Sequence, residues 1–173
     1  MNHDTQPGQT VATPIEGFFK PLAYSLICLR QSGYPSIFYG DLYGMKGRGD
    51  EVASEPPACG GKLPQIILAR KLYAYGAQDD YFDEPNCIGW VRKGDEQHKD
   101  GLACLLSNAG IAEKKMNVGP EHKGEVWTDV LGWEEKEVEI DDEGFGMFPV
   151  GGTSVSIFVR KDAPGREKFE KKL

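Results

Sequence analysis

The sequence predicts an α+β fold in which an incomplete (β/α)8-barrel segment precedes an antiparallel Greek-key β-sandwich. Helical periodicity dominates as far as residue 76, whereas short alternating stretches typical of strands recur from residue 79 onward. Strands separated by turns about every 8–12 residues favour a sandwich. A closed barrel needs eight β/α units and ~250 residues. We therefore assign residues 1–76 to a barrel remnant, 77–161 to an all-β domain and 162–173 to a charged tail.

Composition and charge are those of a globular protein with neither a nucleic-acid nor a membrane partner. The 173 residues are 39% hydrophobic and 27% charged, with a formal net charge of −7. Such a chain is repelled by nucleic acids and by anionic lipid surfaces. No apolar run approaches the ~20 residues of a membrane span. Polar residues follow Met1 directly, so we expect no signal peptide.

The four cysteines predict free thiols. Cys28, Cys59, Cys87 and Cys104 lie far apart and have no CxxC spacing. Cys28 and Cys104 lie in apolar segments, so burial as thiols is favoured over disulfides or a zinc site. This usage of cysteine indicates a reducing, cytoplasmic compartment.

The first predicted element is a helix that begins after Thr13. Thr13 and Glu16 have the spacing of a capping box, and apolar residues follow at helical intervals. Pro21 then falls inside the helix and predicts a kink, which Gly17, four residues earlier, can accommodate. Gly33 is expected to end the helix.

Residues Pro35 to Gly40 form a short apolar run and predict a parallel strand buried on both faces. A polar loop should follow, because it contains Arg48, Asp50, Glu51 and Glu55. Pro64 to Tyr75 reads as a second helix, with Gly76 at its end.

Without a complete barrel, the apolar stripe of the first helix should remain exposed. This stripe consists of Phe18, Phe19, Leu22 and Leu26. We expect residues 1–62 to exchange their amide hydrogens quickly, and their removal to yield a more soluble sandwich. The exposed strand edge beside the stripe also predicts self-association, or docking to a polypeptide that carries the missing barrel strands.

Seven short segments alternate in the manner of strands, with turn residues between them. They are Ile88–Arg92, Leu102–Leu106, Met116–Val118, Val126–Thr128, Val138–Ile140, Phe145–Val150 and Val155–Arg160. Trp90 is expected in the core, and Trp133 is the best candidate for an exposed, sugar-stacking ring. His98 and His122 lie in charged loops and should be surface residues.

Five segments carry a resemblance to a known family. They are the opening Asn2-His3-Asp4-Thr5-Gln6-Pro7-Gly8-Gln9 with Phe18–Tyr24, the run Gly33–Asp41, the run Ala69–Gln78, and Gly152–Ile157. Together they resemble the α-amylases of glycoside hydrolase family 13, notably the bacterial liquefying and fungal intracellular types. The resemblance spans residues 2 to 160. It implies the end of the catalytic barrel followed by the C-terminal β-domain, and an α-glucan substrate.

The resemblance implies hydrolysis of internal α-1,4-glucosidic bonds in starch or glycogen. Asp4 matches the family's third carboxylate, which stabilises the transition state, whereas Asn2, His3 and Tyr39 match sugar-binding positions. The nucleophile and the acid/base of the family would lie upstream of Met1. Retaining hydrolysis needs two carboxyl groups ~5–5.5 Å apart, so we expect this chain to be inactive alone. The alternative interpretation of Asn2-His3-Asp4 is a solvated terminus.

The resemblance also implies a calcium ion between barrel and β-domain, with ligands at Asp79, Asp80 and Asn108. Carboxylate and amide oxygens are ligands that calcium prefers. Two positions depart from the relatives, which have His at the first and Asp at the last. The alternative is an acidic loop that links two domains.

Three functions therefore remain open. The chain is part of a glycoside hydrolase, or a non-catalytic β-sandwich that binds glucan, or a module that docks on another polypeptide.

Overall fold

The computed structural model describes residues 1–47 and 54–169. The predicted polar loop at Arg48, Asp50 and Glu51, and the last four residues of the charged tail, lie outside the described residues. The helices are α1 Lys20–Leu29, α2 Tyr39–Tyr43 and α3 Leu63–Tyr73. The strands are β1 Gln78–Glu84, β2 Cys87–Arg92, β3 Leu102–Ser107, β4 Ala112–Asn117, β5 Val126–Asp129, β6 Val138–Glu139, β7 Phe145–Val150 and β8 Ser154–Arg160.

The strands form two antiparallel sheets that pack face to face, which confirms the predicted sandwich. One sheet has six strands in the order β1-β2-β3-β8-β5-β6, and the other pairs β4 with β7. All seven strands predicted from the sequence are present. The second predicted helix is confirmed as α3, and the four cysteines are free and buried, as expected.

The six-stranded sheet is the middle layer of the molecule. Along β3, Cys104 and Leu106 face a core shared with α1 and α3, whereas Ala103 and Leu105 face a second core under β4 and β7. Strands covered on both faces are apolar at nearly every position. This explains why β3 reads as a continuous hydrophobic run rather than as an alternating one.

The first helix begins later than the capping box predicted. A 3-10 turn spans Gly17–Phe19, and α1 starts at Lys20 with no side-chain cap. Pro21 therefore lies in the first turn, where its missing N–H would have no intrahelical partner anyway. The predicted kink at Pro21 is wrong for this reason.

The expectation of an exposed stripe on this helix is also wrong for its central part. Leu22 is only 3% exposed, and Cys28 and Leu29 are buried in the core shared with β3 and β8. Of the four stripe residues, Phe18 and Phe19 of the preceding 3-10 turn remain exposed, and Leu26 is half-buried. The six-stranded sheet thus covers the helix in place of barrel strands.

The strand predicted at Pro35 to Gly40 is absent from the described structure. Residues 34–38 form no regular secondary structure, and the short helix α2 follows the extended Phe38. A parallel strand needs a neighbouring strand to satisfy its backbone groups, and this segment has no such partner among the described residues.

A strand that the sequence did not predict lies at the edge of the large sheet. Residues Gln78–Glu84 form β1, paired with β2, where an acidic linking loop was expected. Most of the side chains of β1 are exposed, and exposed positions favour polar residues. The strand therefore lacks the apolar alternation by which the other strands were predicted.

Within the described part of the chain, no helix is long and apolar enough to cross a bilayer.

Candidate functional site

The Asn2-His3-Asp4 motif lies in a turn at the surface. The Asn2 side-chain oxygen accepts the backbone N–H groups of Asp4 at 2.9 Å and Thr5 at 3.1 Å. Such an Asx turn satisfies Asn2 locally. His3 and Asp4 contact each other at 3.4 Å, and their side chains are 83% and 67% exposed. In this arrangement the motif presents polar groups to solvent.

Tyr39 and Asp41, from the same short helix α2, have opposite environments. Tyr39 is 72% exposed and packs against Tyr43, with ring centroids 4.6 Å apart. Asp41 is buried, and its backbone carbonyl accepts the N–H of Ala58 at 2.8 Å. The helix thus directs its aromatic side chains outward and its carboxylate into the protein.

Asp41 is the centre of a buried polar cluster with Lys20, Tyr24 and Glu55, which we call the Lys20 cluster. The Lys20 ammonium lies 2.8 Å from Asp41 and 3.5 Å from Glu55. The Tyr24 hydroxyl donates to the other Asp41 oxygen at 2.5 Å. The sequence analysis includes Asp41 only as the end of a matching run and misses Lys20 and Tyr24, because both lie inside an apolar helical pattern.

Burial and charge set the ionisation of the Lys20 cluster. Burial disfavours the charge on Lys20, but Asp41 and Glu55 outweigh it and raise the pKa of the ammonium. Burial, together with the hydrogen bond to Asp41, also raises the pKa of the Tyr24 hydroxyl. With its pKa raised, the Lys20 ammonium stays charged at neutral pH and forms an ion pair with Asp41.

Two cavities lie on either side of Lys20. The larger, of about 590 Å³, lies between residues 14–17 and 55–61, and we call it the α1 cavity. The smaller, of about 210 Å³, is lined by Met1, Tyr24 and Asp41 among others. Cys59 lines the α1 cavity, and burial raises the pKa of its thiol to about 12, so it is not a nucleophile at neutral pH.

Other neighbouring carboxylates also share a cation. Lys114 lies 2.8 Å from Asp83 and 3.1 Å from Glu84. Its hydrogen bond lowers the pKa of the Asp83 carboxyl. Retaining hydrolysis needs one carboxyl that stays protonated to act as an acid. The pKa of Asp83 is lowered rather than raised, so Asp83 is not such an acid and forms an ion pair with Lys114.

Two of the three predicted calcium ligands have cationic partners. Asp79 lies 3.0 Å from Lys93, and Asp80 lies 3.0 Å from Arg30. Successive residues of a strand point to opposite faces, so these carboxylates diverge along β1. Asn108 lines a small cavity of about 130 Å³ between α1 and the sheet. As they stand, the residues do not fit a calcium ion, and calcium binding stays a prediction from the resemblance.

The described residues include no convergent group of three or more His, Cys, Asp or Glu side chains with the geometry of a metal site. His122 was expected at the surface, but it is buried beside Trp127 and contacts Glu125 at 2.7 Å. His98 is partly exposed and stacks on Tyr75. Each histidine thus has a structural neighbour of its own.

A buried carboxylate that sequence reasoning missed organises the turn after β5. Asp129 accepts backbone N–H groups from Leu131, Trp133, Glu134 and Ile157 at 2.8–3.2 Å. Burial raises the pKa of Asp129, and these four donors oppose that shift. The turn presents Trp133 with 37% exposure, whereas Trp90 and Trp127 are buried in the two cores. Asp129 is therefore a structural group.

The sequence has close relatives among bacterial α-amylases. It is 48% identical over 161 residues to the α-amylase of Bacillus licheniformis, a match that covers 92% of this chain and 31% of the relative. The corresponding values are 42% over 159 residues for the α-amylase of Geobacillus stearothermophilus, covering 91% of this chain and 28% of that enzyme. The chain is also 40% identical over 163 residues to the cytoplasmic α-amylase of Escherichia coli K12, a match that covers 91% of this chain and 32% of that enzyme. No family model matches the chain.

Solved structures share the fold at low sequence identity. The crystal structure of AmyP in complex with maltose superposes with a TM-score of 0.58 and 14% identity, covering 95% of this chain and 40% of AmyP. The γ-CGTase from alkalophilic Bacillus clarkii gives a TM-score of 0.58 and 18% identity, covering 92% and 25%. These similarities concern the fold alone.

The fold of this chain is thus shared with part of AmyP and with part of the γ-CGTase. At 40–48% identity, the chain is related to α-amylases and matches the C-terminal part of these relatives. It spans between 28% and 32% of the length of the three curated relatives described above.

Proposed function

We propose that the chain acts as part of an α-amylase-type hydrolase that cleaves internal α-1,4-glucosidic bonds in starch or glycogen. The observation that carries this proposal is 40–48% identity to α-amylases over more than nine tenths of the chain. Asp4 would stabilise the transition state, and Asn2, His3 and Tyr39 would contact the sugar. All four are exposed or half-exposed, as groups that meet a substrate must be.

The same proposal holds that the chain does not hydrolyse glucan by itself. Two carboxyl groups ~5–5.5 Å apart, one of them protonated, are needed for retaining hydrolysis. Asp41 and Glu55 share the Lys20 cation, and Asp83 and Glu84 share the Lys114 cation, so both sets of carboxylates serve in ion pairs. The nucleophile and the acid/base would come from polypeptide outside the 173 residues.

A docking function follows from the exposed aromatic side chains of the N-terminal part. Tyr34 is 99% exposed, and Phe18, Tyr39 and Tyr43 are each more than 60% exposed. Exposed apolar side chains in one segment favour a protein contact. The partner we propose is a polypeptide that carries the earlier strands of an α-amylase barrel. Self-association through the same side chains is the competing mode.

One experiment tests activity and docking together. The purified chain is assayed with a blocked maltooligosaccharide reporter, first alone and then with the N-terminal portion of the Bacillus licheniformis relative. We expect no turnover from either part alone, and turnover from the mixture that is lost in Asp4→Asn. Tyr34→Ser should weaken the mixture's activity at low concentration only, since it acts through association.

Two outcomes would contradict the proposal. Turnover by the chain alone that disappears in Asp4→Asn would mean that its own carboxylates perform both catalytic roles. A mixture that forms a stable complex but never hydrolyses the reporter would refute the hydrolase assignment while leaving docking intact.

We also propose a cytoplasmic location, which the four buried free thiols support. Calcium binding by Asp79, Asp80 and Asn108 would require Lys93 and Arg30 to release the two carboxylates. An earlier barrel segment that docks beside β1 would offer Lys93 and Arg30 other partners and so release the two carboxylates.

A further inference from the structure

We infer that the small apolar cavity between α1 and the large sheet is a binding site for a free, uncharged phenol. It lies at the end of the sheet where β2 begins and β3 ends, and we call it the Leu22 cavity. The inference goes beyond the proposed function, because the ligand is not a sugar and the site takes no part in hydrolysis.

The volume of the Leu22 cavity matches a single aromatic ring. The cavity measures about 130 Å³, and an apolar cavity of about 150 Å³ in a protein interior can hold benzene. Sites for drug-sized ligands are larger, roughly 300–1,000 Å³. The volume therefore limits the ligand to one ring with few substituents.

The lining excludes a charged ligand. None of the nine residues around the cavity is charged, and seven of them are apolar. Leu22 and Leu106 are buried and form the inner wall, whereas Phe19 and Pro85 are exposed at the opening. A charged ligand would lose its hydration here without gaining an ion-pair partner, so the lining selects a neutral one. The nine residues are Phe19, Leu22, Ala23, Leu26, Pro85, Asn86, Ile88, Leu106 and Asn108.

Two amide side chains at the opening select a ring that carries a hydroxyl group. Asn86 and Asn108 are the polar residues of the lining, and both are exposed. The backbone N–H of Asn108 donates to the carbonyl of Asn86 at 3.2 Å, which holds the two residues side by side. A side-chain amide can both donate to a hydroxyl and accept from it. Phenol provides that hydroxyl, and it is neutral at pH 7 because a phenolic group has a pKa of about 10.

Phe19 favours an aromatic ring over an aliphatic group of the same size. Its ring lines the cavity and is 41% exposed, so it is accessible to a ligand in the opening. Two aromatic rings that meet edge to face or offset gain more than the area they bury. A saturated ring with a hydroxyl group lacks this contribution.

The position of the amides favours a free phenol over a tyrosine side chain of a polypeptide. A free ring can enter with its unsubstituted edge toward Leu22 and Leu106 and leave its hydroxyl beside Asn86 and Asn108. A tyrosine side chain enters with its hydroxyl first, because its other end is attached to the backbone. That hydroxyl would lie against the apolar side chains of the inner wall, which disfavours its burial.

Titration of phenol into the full chain, followed by the NMR shifts of amides 85–88 and 106–108, tests the inference. A calcium chelator is present throughout, so that no metal engages Asn108. We expect saturable shifts with a Kd of about 1 mM, as suits a ligand with few atoms. Ala23→Leu should abolish binding, since the larger side chain would fill the cavity from α1.

Matched variants separate the cavity and its amides from general effects of substitution. Ala77→Leu introduces the same side chain at an exposed position outside the lining, so this variant should bind phenol like the unaltered chain. Joint replacement of Asn86 and Asn108 by Ala should weaken phenol binding about fivefold, the effect of losing one neutral hydrogen bond. The same double variant should bind benzene as well as the unaltered chain does.

Five results would overturn the inference. They are no saturable shift up to about 20 mM phenol, retained binding in a folded Ala23→Leu chain, an equal loss of phenol and benzene in the double variant, equal affinity for cyclohexanol, and tighter binding of N-acetyltyrosinamide than of phenol. The last result would assign the cavity to a polypeptide partner instead.

None of these measurements depends on turnover. Failure of the reconstituted hydrolase would therefore refute the proposed function and leave the Leu22 cavity untouched. Absence of phenol binding beside restored turnover would refute this site alone.

Discussion

At the residue scale, single buried polar groups organise segments that the sequence leaves irregular. Asp129 holds four backbone N–H groups of two different segments, and Asp41 joins Lys20 and Tyr24 of α1 to helix α2. In both cases a carboxylate replaces water as the acceptor for donors that the fold has buried. Such groups stabilise a structure only when all of their partners are present.

Replacement of Asp129 by Asn tests this role. The amide of Asn has one acceptor oxygen, so two of the four backbone N–H groups would face an NH2 group instead. We expect the free energy of unfolding to fall by about 2–6 kcal/mol, given 1–3 kcal/mol for each of the two unsatisfied buried donors. Urea denaturation followed by tryptophan fluorescence measures the change.

The control for Asp129→Asn is Asp142→Asn. The Asp142 side chain is 83% exposed and has a single ion pair with Lys123. Its replacement should change the free energy of unfolding by less than about 0.5 kcal/mol. If the two substitutions had equal effects, the backbone N–H groups around residue 129 would have to be hydrogen-bonded to water in the Asp129→Asn variant, which would contradict the prediction.

At the element scale, the end of α1 is attached to the sheet by arginines. Arg92 of β2 donates to the Leu29 carbonyl at 3.2 Å and to the Gly76 carbonyl at 3.0 Å, and Arg70 of α3 donates to the Cys28 carbonyl. These carbonyls at the helix end have no intrahelical partner. Burial and the nearby Arg70 lower the pKa of Arg92, so its position in the core has a cost that these bonds offset.

Arg92→Met should loosen α1 more than it loosens the sheet. Met fills much of the space of the Arg92 side chain. The substitution removes the two charged hydrogen bonds to the Leu29 and Gly76 carbonyls, but it also removes the cost of burying a charge. We expect a net loss of about 1–3 kcal/mol in unfolding free energy. Amide exchange in residues 20–29 should increase before that in β3 and β8.

Arg30→Met serves as the comparison at the same helix end. Arg30 is partly exposed and pairs with the exposed Asp80 at 3.0 Å. Surface ion pairs contribute about 0–1 kcal/mol, so exchange in α1 should barely change. If Arg30→Met accelerated exchange as much as Arg92→Met, the buried arginine would not be the main attachment.

At the scale of the whole molecule, one sheet serves two cores. The helices cover the face that carries Trp90, Cys104 and Ile157, whereas β4 and β7 cover the face that carries Leu105 and Phe158. The residues before β1 are therefore needed to keep one entire face of the large sheet from water. Their removal would expose this face.

Deletion of residues 1–62 should accordingly produce a chain that aggregates, the reverse of what the sequence alone predicts. Leu22 and Leu29 would no longer cover the sheet, and each such large side chain contributes roughly 1.5–3 kcal/mol by burial. Sedimentation velocity at several micromolar concentrations compares the truncated and the full chain. Deletion of residues 1–12, none of which is buried, is the control and should sediment like the full chain.

A monomeric, soluble truncated chain beside an oligomeric full chain would contradict this prediction. It would mean that α1 is the associating surface and that the sandwich face tolerates exposure.

The sequence by itself determined the family, the positions of seven strands and of α3, and the free state of the thiols. These features depend on motifs and periodicities within a few residues, which are local properties. Only the tertiary structure decided the edge strand β1, the later start of α1, the loss of the strand at residues 35–40 and the burial of Asp41 and Asp129. Each of these depends on a partner distant in the chain: β2 for β1, the sheet for α1, Lys20 for Asp41 and the Ile157 N–H for Asp129. Pairing of this kind has no periodicity in the sequence, because the contacting residues are brought together only by the fold.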